Sequence, residues 1–530
     1  MHGVASNDWA LQVNNMNLTF KVSNAANAVG QKKNTVYLSA SSWDDYSFVT
    51  TFGVTLWDGS GAKHALGQVK IGYIDQPHGR TATLLPETFE SLKENFFSLG
   101  QDVDFYKNVR ALSAELRYAL LTALRDVVFN HEVLSAAKDQ KVFKDSFLRS
   151  TNIASISTQF KRILSGGAVL TPFHFAYQSP GSNNRAAFSL EFDVVPETTP
   201  SQNIHVLIGR NGIGKTTLLN GMIAALTEQN DGAINAGNFL DTSADTTVAP
   251  ISKDYFAGLI SVSFSAFDSF VPPPESANDS ELKYSYIGLK LLTESGGTHK
   301  NPNALSDDFV KSLVGCFGLS TKRERWHDAI RFLESDQNFE DMDLTRLLQE
   351  TDQQTLETRA RHMFLDQMSS GHAIVLLSIT KLVERAEEKT LVILDEPESH
   401  LHPPLLSAFT RALADLLNKI NGVAIIATHS PVVLQEVPKS CVWKLSRSKL
   451  SSESIRPEME TYGENVGVLT REVFGLEVTK SGFYDLLTKS VAKGRDYDQT
   501  LGEYEGQLGF EGRSILRALI SNRDRSKSAE

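Results

Sequence analysis

Over residues 1–85 apolar and polar positions alternate with the two-residue period of half-buried strands. Leu11–Val22 and Ser47–Leu56 both show it, and Asp58-Gly59-Ser60-Gly61 reads as a hairpin turn into His64–Ile71. Trp43, Asp44, Asp45 and Tyr46 sit in a connection. Such a cluster is either a binding surface or, more plainly, a loop anchored by a packed Trp. From residue 86 the period lengthens. Val109, Leu112, Leu116, Ala119, Ala123 and Val127 recur at helical steps, which predicts one amphipathic helix with Arg110, Arg117 and Arg125 on its flanks. Gly166-Gly167 and Pro172 punctuate the end of this block. Alternation returns over Ala186–Val195, and Pro196–Gln202 is a polar turn. Residues 227–250 lack a period and read as loop, Leu259–Phe267 as a strand, and 305–365 as mixed-charge helices without a heptad. A further strand is expected at Val442–Leu445, and a solvated helix with a frayed tail over Arg513–Lys527, with a nucleic-acid or partner contact as its alternative.

Four stretches carry chemistry. Ile204–Ala225 reads as strand, tight loop and helix, and Gly209, Gly214, Lys215 and Thr216 fit G-x-x-x-x-G-K-[ST]. In a P-loop of this kind Gly209 ends the strand where a side chain would obstruct the turn. Gly212 and Gly214 let backbone N–H groups point at phosphates, with Asn211 between the glycines and Thr217 just beyond. Lys215 would reach the β- and γ-phosphates and the Thr216 hydroxyl would hold Mg²⁺. Thr390–Pro397 is an apolar strand ending in Asp395 and Glu396, placed to hold Mg²⁺ and to polarise a water. Val423–Ser430 is another buried strand, ending in Thr428, His429 and Ser430. Ser369, Ser370 and Gly371 head a helix expected over Ala373–Glu384, an arrangement suited to an anion. The plain alternatives are a strand that happens to end in charge, a structural histidine and an ordinary Ser-Ser-Gly loop. Order and spacing favour the chemical readings.

Composition narrows the field. The chain of 530 residues has 63 acidic and 52 basic residues, a formal charge of −11. A surface that coats DNA throughout is therefore excluded, and any DNA contact is a local patch or is made through a partner. Two cysteines, Cys316 and Cys441, allow no disulfide framework, which suits a reducing cytoplasm. The first residues lack the pattern of a signal peptide, and no run of about 18 apolar residues predicts a membrane span.

The P-loop, then Ser369-Ser370-Gly371, then Leu391–Glu396, then a strand ending in His429, together resemble an ABC-type ATPase over about residues 186–435. They match its Walker A, signature, Walker B and switch-histidine elements. The resemblance implies an α/β P-loop head, a mixed or parallel sheet with flanking helices, together with a β-rich N-terminal part and helical insertions. It implies ATP and Mg²⁺ as cofactors, Glu396 and His429 as catalytic, and Thr216 and Asp395 on the metal. Gly209, Asn211, Gly212, Gly214, Lys215, Thr216 and Thr217 would bind ATP in one subunit, with Ser369, Ser370 and Gly371 added from a second copy. The expected organisation is a β-rich part at 1–85, a helical segment at 86–167, an ATPase core at 168–435 with an insertion at about 275–365, and an extension at 436–530.

Two departures stand out. The family's Q-loop glutamine is missing, so Ser265 or Asp268 would have to replace it. The loop Glu398-Ser399-His400-Leu401-His402-Pro403 is similar to the OLD-like and SMC-like branch of soluble ABC ATPases. His400 and His402 have no third ligand near them in sequence, which argues against a metal there. Within that branch Val262–Asp268, Thr428–Pro438 and Tyr462–Phe474 resemble the PtuA ATPases of Septu and PtuAB-carrying retron antiphage systems. That resemblance implies a homodimer or higher homo-oligomer. It also implies a separately encoded HNH-type, PtuB-like nuclease partner and, in a retron, a reverse transcriptase with its RNA and DNA. Asp496-Tyr497-Asp498 has a Toprim-like spacing, but no buried strand precedes it and it reads as a surface turn, so no nuclease is expected in this chain. The competing readings are an SMC-like DNA clamp, a nucleotide sensor that hardly turns over, and a transporter subunit. The approximately 200 residues ahead of the P-loop count against the last of these.

Overall fold

The computed structural model describes residues 17–23, 31–149, 151, 153–166, 170–181, 187–227, 236–243, 249–264, 271–275, 282–291, 298–350, 352–448, 451–474 and 482–528. Its centre is a seven-stranded sheet in the order Lys283–Gly288, Gly258–Ser263, Thr390–Asp395, Val423–Thr428, Ile204–Ile208, Val442–Ser448 and Ser451–Ile455. All neighbours run parallel except the last pair, which closes one edge as an antiparallel ribbon. Strands covered on both faces read as continuous apolar runs, and Ile204–Ile208 and Val423–Thr428 are buried at every position.

Alternate residues of these strands feed two separate cores. Val206, Ile260, Val392, Leu394 and Ile426 pack on helices Pro302–Phe317, Ser320–Leu333, Ser370–Arg385 and Pro403–Ile420. Leu207, Leu259, Ile393 and Ile425 face the P-loop helix Lys215–Leu226 and a four-stranded sheet containing Phe173–Ser179 and Phe188–Val194. Burying each such leucine or isoleucine contributes about 1.5–3 kcal/mol. This is the α/β architecture expected above, a largely parallel sheet with flanking helices. No helix among the described residues is long and apolar enough to cross a membrane.

A second, six-stranded sheet lies in the N-terminal part, in the order Thr88–Phe89, Thr19–Ser23, Thr35–Ala40, Thr51–Trp57, Lys63–Tyr73 and Phe96–Gly100. The Asp58–Gly61 turn is where alternation put it: Asp58 Oδ1 accepts from the Ser60 and Ala62 N–H groups and Gly61 is left-handed at φ +91°. Leu11–Val22 is replaced by Thr19–Ser23, and residues 1–16 lie outside the described residues. The single helix predicted through Val109–Val127 is two, Val103–Ala111 and Ala114–Ala123. Leu112 is extended and Ser113 Oγ accepts from the Leu116 N–H, so a cap residue restarts the helix while the apolar period runs on into one shared core. Asn238–Asp241 and Ala249–Pro250, expected to be loop, pair into the four-stranded sheet.

The acidic-aromatic loop at Trp43–Tyr46 is an anchor. Asp45 is 4% exposed and bridges Lys70 Nζ and Arg149 Nη1, each at 2.8 Å. The N-terminal part is tied to the head by Arg162–Glu388 at 2.5 Å and by the Thr321 hydroxyl donating to Asp102 at 2.8 Å.

Candidate nucleotide site

The glycines of the loop after Ile204–Ile208 are required for different reasons. A side chain on Gly209 would place its Cβ 2.6 Å from the Leu445 carbonyl of the neighbouring strand. Gly212 and Gly214 instead have φ of +80° and +101°, with nothing within 4 Å of a built Cβ. Their need is conformational, and the space beside them is open. Lys215 opens the helix that follows and is 4% exposed. Its ammonium donates to the Gly209 and Arg210 carbonyls at 2.9 and 3.3 Å and lies 4.0 Å from Glu396 Oε1. Burial lowers the Lys215 pKa, and the charges of Glu396, Glu398 and Asp395 oppose that shift. Thr216 is half-buried, while Asn211 and Thr217 are exposed.

The acid pair arrives on the strand Thr390–Asp395. Asp395 pairs with Ser263 on one side and Ala427 on the other, so it sits at the carboxyl ends of three parallel strands. Glu396 turns the chain with φ +45°, a left-handed conformation that costs a non-glycine residue on the order of 1 kcal/mol, and its N–H donates to the Ala427 carbonyl at 2.9 Å. His429, from the next strand, brings Nδ1 to 3.7 Å from Glu396 Oε1. Lys215, Glu396 and His429 are therefore drawn together at the ends of adjacent strands.

Sequence reasoning passed over Glu398. Its Oε1 accepts from the Thr428 hydroxyl and the His429 N–H, both at 2.6 Å, and lies 3.0 Å from His429 Nδ1. That last contact is out of line for a hydrogen bond. Glu398 fixes the backbone that carries His429. The signal was present, since an acid two residues after the Asp-Glu pair falls in the one-turn 3₁₀ segment Pro397–His400 that faces the next strand end.

Ser369, Ser370 and Gly371 lie at the start of helix Ser370–Arg385. This helix packs on the face of the sheet opposite to the P-loop helix. Both serines are exposed. A Cβ on Gly371 would sit 2.5 Å from the His400 carbonyl, so this glycine is demanded by packing against the loop after Glu396. Ser369 Oγ is 2.6 Å from His372 Nδ1 and caps no N–H of the helix.

No third ligand lies near His402 in sequence, but the fold brings two further donors to it. Asp336 and His372, 66 and 30 residues earlier in the chain, come within reach of His402 and form a cluster with it. His400 points elsewhere, with Nε2 3.3 Å from the Phe264 carbonyl. Ser265 and Asp268 lie outside the described residues. Asp496 is a helix N-cap rather than a turn, since its Oδ1 accepts from the Gln499 N–H at 2.8 Å at the head of helix Tyr497–Glu503.

Residues 259–435 match the family described as "AAA domain, putative AbiEii toxin, Type IV TA system". Protein ea59 of Escherichia phage lambda is 45% identical over 515 residues, covering 94% of this chain and 97% of that protein. Among solved structures, an ATP-binding cassette of an ABC transporter in its ADP conformation aligns at 12% identity over 58% of this chain and 99% of its own, with a TM-score of 0.31. The cbiO1 protein of Clostridium perfringens, part of an ABC transporter complex, aligns at 14% identity over 58% of this chain and 95% of its own, with a TM-score of 0.30.

Proposed function

The chain belongs to the same family as Protein ea59 of phage lambda, and we propose that it hydrolyses ATP in a site completed by a second copy of itself. The convergence of Lys215, Glu396 and His429 within 4.0 Å contacts carries this reading. The open space at Gly212 and Gly214 fits a triphosphate, and Thr216 with Asp395 offers a hydroxyl and a carboxylate for Mg²⁺. Bound there, Mg²⁺ would neutralise charge between the β- and γ-phosphates. Lys215 exchanges the Gly209 and Arg210 carbonyls for phosphate oxygens, a trade in which its charge is better matched. Glu396 accepts a proton from the attacking water as the new oxygen–phosphorus bond forms and the bond to ADP breaks. His429, whose N–H is held by Glu398, would face the γ-phosphate.

Completion by a second copy is supported by the position of the exposed Ser369 and Ser370, on a helix packed against the far face of the sheet from the P-loop helix. Two subunits head-to-tail would bring Ser369, Ser370 and Gly371 of each to the P-loop of the other. The resemblance to PtuA ATPases extends the reading. The closed dimer would control a separately encoded HNH-type nuclease in antiphage defence, and this chain would cut nothing itself. In the direct test the purified chain, with Mg²⁺ or Mn²⁺, is incubated with plasmid DNA and with ATP. Phosphate release without cleavage is expected, and robust cleavage by the chain alone would overturn the partner reading.

A further inference from the structure

Ser369 gives its hydroxyl to His372, and His372 leads into a cluster that the nucleotide chemistry does not use. His372 Nε2 lies 3.0 Å from Asp336 Oδ1, and His402 Nε2 lies 3.1 Å from Asp336 Oδ2. The three residues offer ligand atoms that all lie within 4.8 Å of one another. They come from three separate elements: Asp336 caps helix Gln337–Met342, His372 is in helix Ser370–Arg385, and His402 caps helix Pro403–Ile420. Asp336 and His372 are buried, whereas the His402 side chain is 46% exposed, so the cluster opens to solvent on one side.

We propose that Asp336, His372 and His402 form a binding site for a divalent transition ion of the Zn²⁺ class, and that the ion sets the direction of the hydrogen bond at Ser369. Two imidazole nitrogens, one carboxylate oxygen and a solvent-facing fourth position are a zinc-type donor set. Ligand atoms around a tetrahedral ion at about 2.0–2.1 Å stand about 3.3 Å apart; His402 Nε2 and Asp336 Oδ2 are 3.1 Å apart, and the three ligand atoms all lie within 4.8 Å of one another, so small side-chain shifts close the site. Mg²⁺ prefers an all-oxygen shell, so this site is chemically distinct from Thr216 and Asp395. Asp336 Oδ1 also accepts from the Asn338 and Phe339 N–H groups at 3.0 and 3.4 Å, which orients the carboxylate and leaves Oδ2 for the ion. One bond is lost: the Leu405 N–H now donates to His402 Nδ1 at 3.4 Å, and a neutral imidazole metallated at Nε2 carries its proton on Nδ1.

The consequence lies at Ser369. With His372 Nε2–H donating to Asp336, Nδ1 must accept the Ser369 hydroxyl proton. With the ion on Nε2, the imidazole proton moves to Nδ1 and donates to Ser369 Oγ instead. The hydroxyl proton is then released to donate to a phosphate oxygen of ATP held by a second copy. This step rests on the proposed role of Ser369 in the dimer; the ion site itself does not.

The test uses the full chain without a polyhistidine tag, titrated calorimetrically with Zn²⁺ in excess Mg²⁺ and no nucleotide. One Zn²⁺ per chain is expected, bound at least tenfold more weakly by His402→Asn, which keeps a side-chain cap for Leu405. Co²⁺ should give the visible absorption of a tetrahedral site in the wild type and lose it in the variant. Lys215→Ala should bind Zn²⁺ normally while failing to bind ATP, which separates this site from the ATPase reading. Zn²⁺ binding no tighter in the wild type than in His402→Asn overturns the site. Zn²⁺ that binds but leaves ATP-dependent self-association of Glu396→Gln unchanged overturns the coupling to Ser369.

Discussion

The two halves of the proposed nucleotide site use glycine in opposite ways. In the P-loop half Gly212 and Gly214 hold left-handed φ angles with empty space around them. In the signature half Gly371 is an ordinary helical residue jammed 2.5 Å from the His400 carbonyl. The first half is shaped to admit a ligand. The second is packed tightly onto the loop that follows Glu396 and presents its serines outward. On the proposed reading a nucleotide enters the first half, and the second acts on one brought to its surface by another copy.

That contrast can be broken at several points. The largest effect is expected from Lys215→Ala. Its ammonium contacts loop carbonyls and a carboxylate, so the variant should fold normally yet lose ATP affinity by about 100-fold or more, as two charge-assisted phosphate contacts go. Nucleotide titration checks this, and retained affinity would remove the P-loop half from the site. Glu396→Gln comes next. Hydrolysis should fall by about 10²–10⁴-fold, the usual contribution of a general base, with ATP affinity kept. Unaltered phosphate release from that variant would take Glu396 out of the chemistry.

Gly371→Ala tests the packed half. The His400 carbonyl must move, which should cost about 1–3 kcal/mol, visible as a lower unfolding midpoint with ATP binding by the P-loop half preserved. Gly212→Ala should cost about 1–2 kcal/mol through backbone strain and should weaken ATP binding instead. Equal damage to both properties in both variants would erase the distinction.

An effect confined to acid pH concerns His205, fully buried on the P-loop strand and edge-on to Phe192 at 5.2 Å. Burial pushes its pKa down from 6.5 to about 3. The unfolded chain takes up a proton below about pH 6.5 that the folded chain refuses until about pH 3, so stability falls as pH falls through that window. The loss is about 2 kcal/mol between pH 6.5 and pH 5, and His205→Leu should flatten it in denaturant titrations at the two pH values. An unchanged slope in that variant would assign the acid sensitivity elsewhere.

Much of the geometry of the candidate site was legible because its strands are buried on both faces and so read as plain apolar runs ending in charge, as at Leu391–Glu396. The P-loop was legible because Gly209 and Gly214 answer to local geometry that a spacing records. What escaped was whatever depended on residues far apart in sequence. Asp336, His372 and His402 meet only once three helices have packed. The partner of Gly371 is a carbonyl, which no sequence pattern displays. The helix break at Ser113 was hidden because both flanking helices bury the same apolar stripe, so the period ran through the break. At the N-terminal sheet alternation located the hairpin well but not strand ends, since a strand such as Thr51–Trp57 stops where its partner stops.

The central claim is that the exposed signature serines complete the site of another copy. Sedimentation of Glu396→Gln with Mg²⁺ and ATP tests it most directly, beside the double variant Glu396→Gln with Ser369→Arg. The account predicts an ATP-dependent dimer of the first. The second should stay monomeric while still binding ATP. Equal self-association of the two proteins, or none in either while ATP is bound, would contradict it.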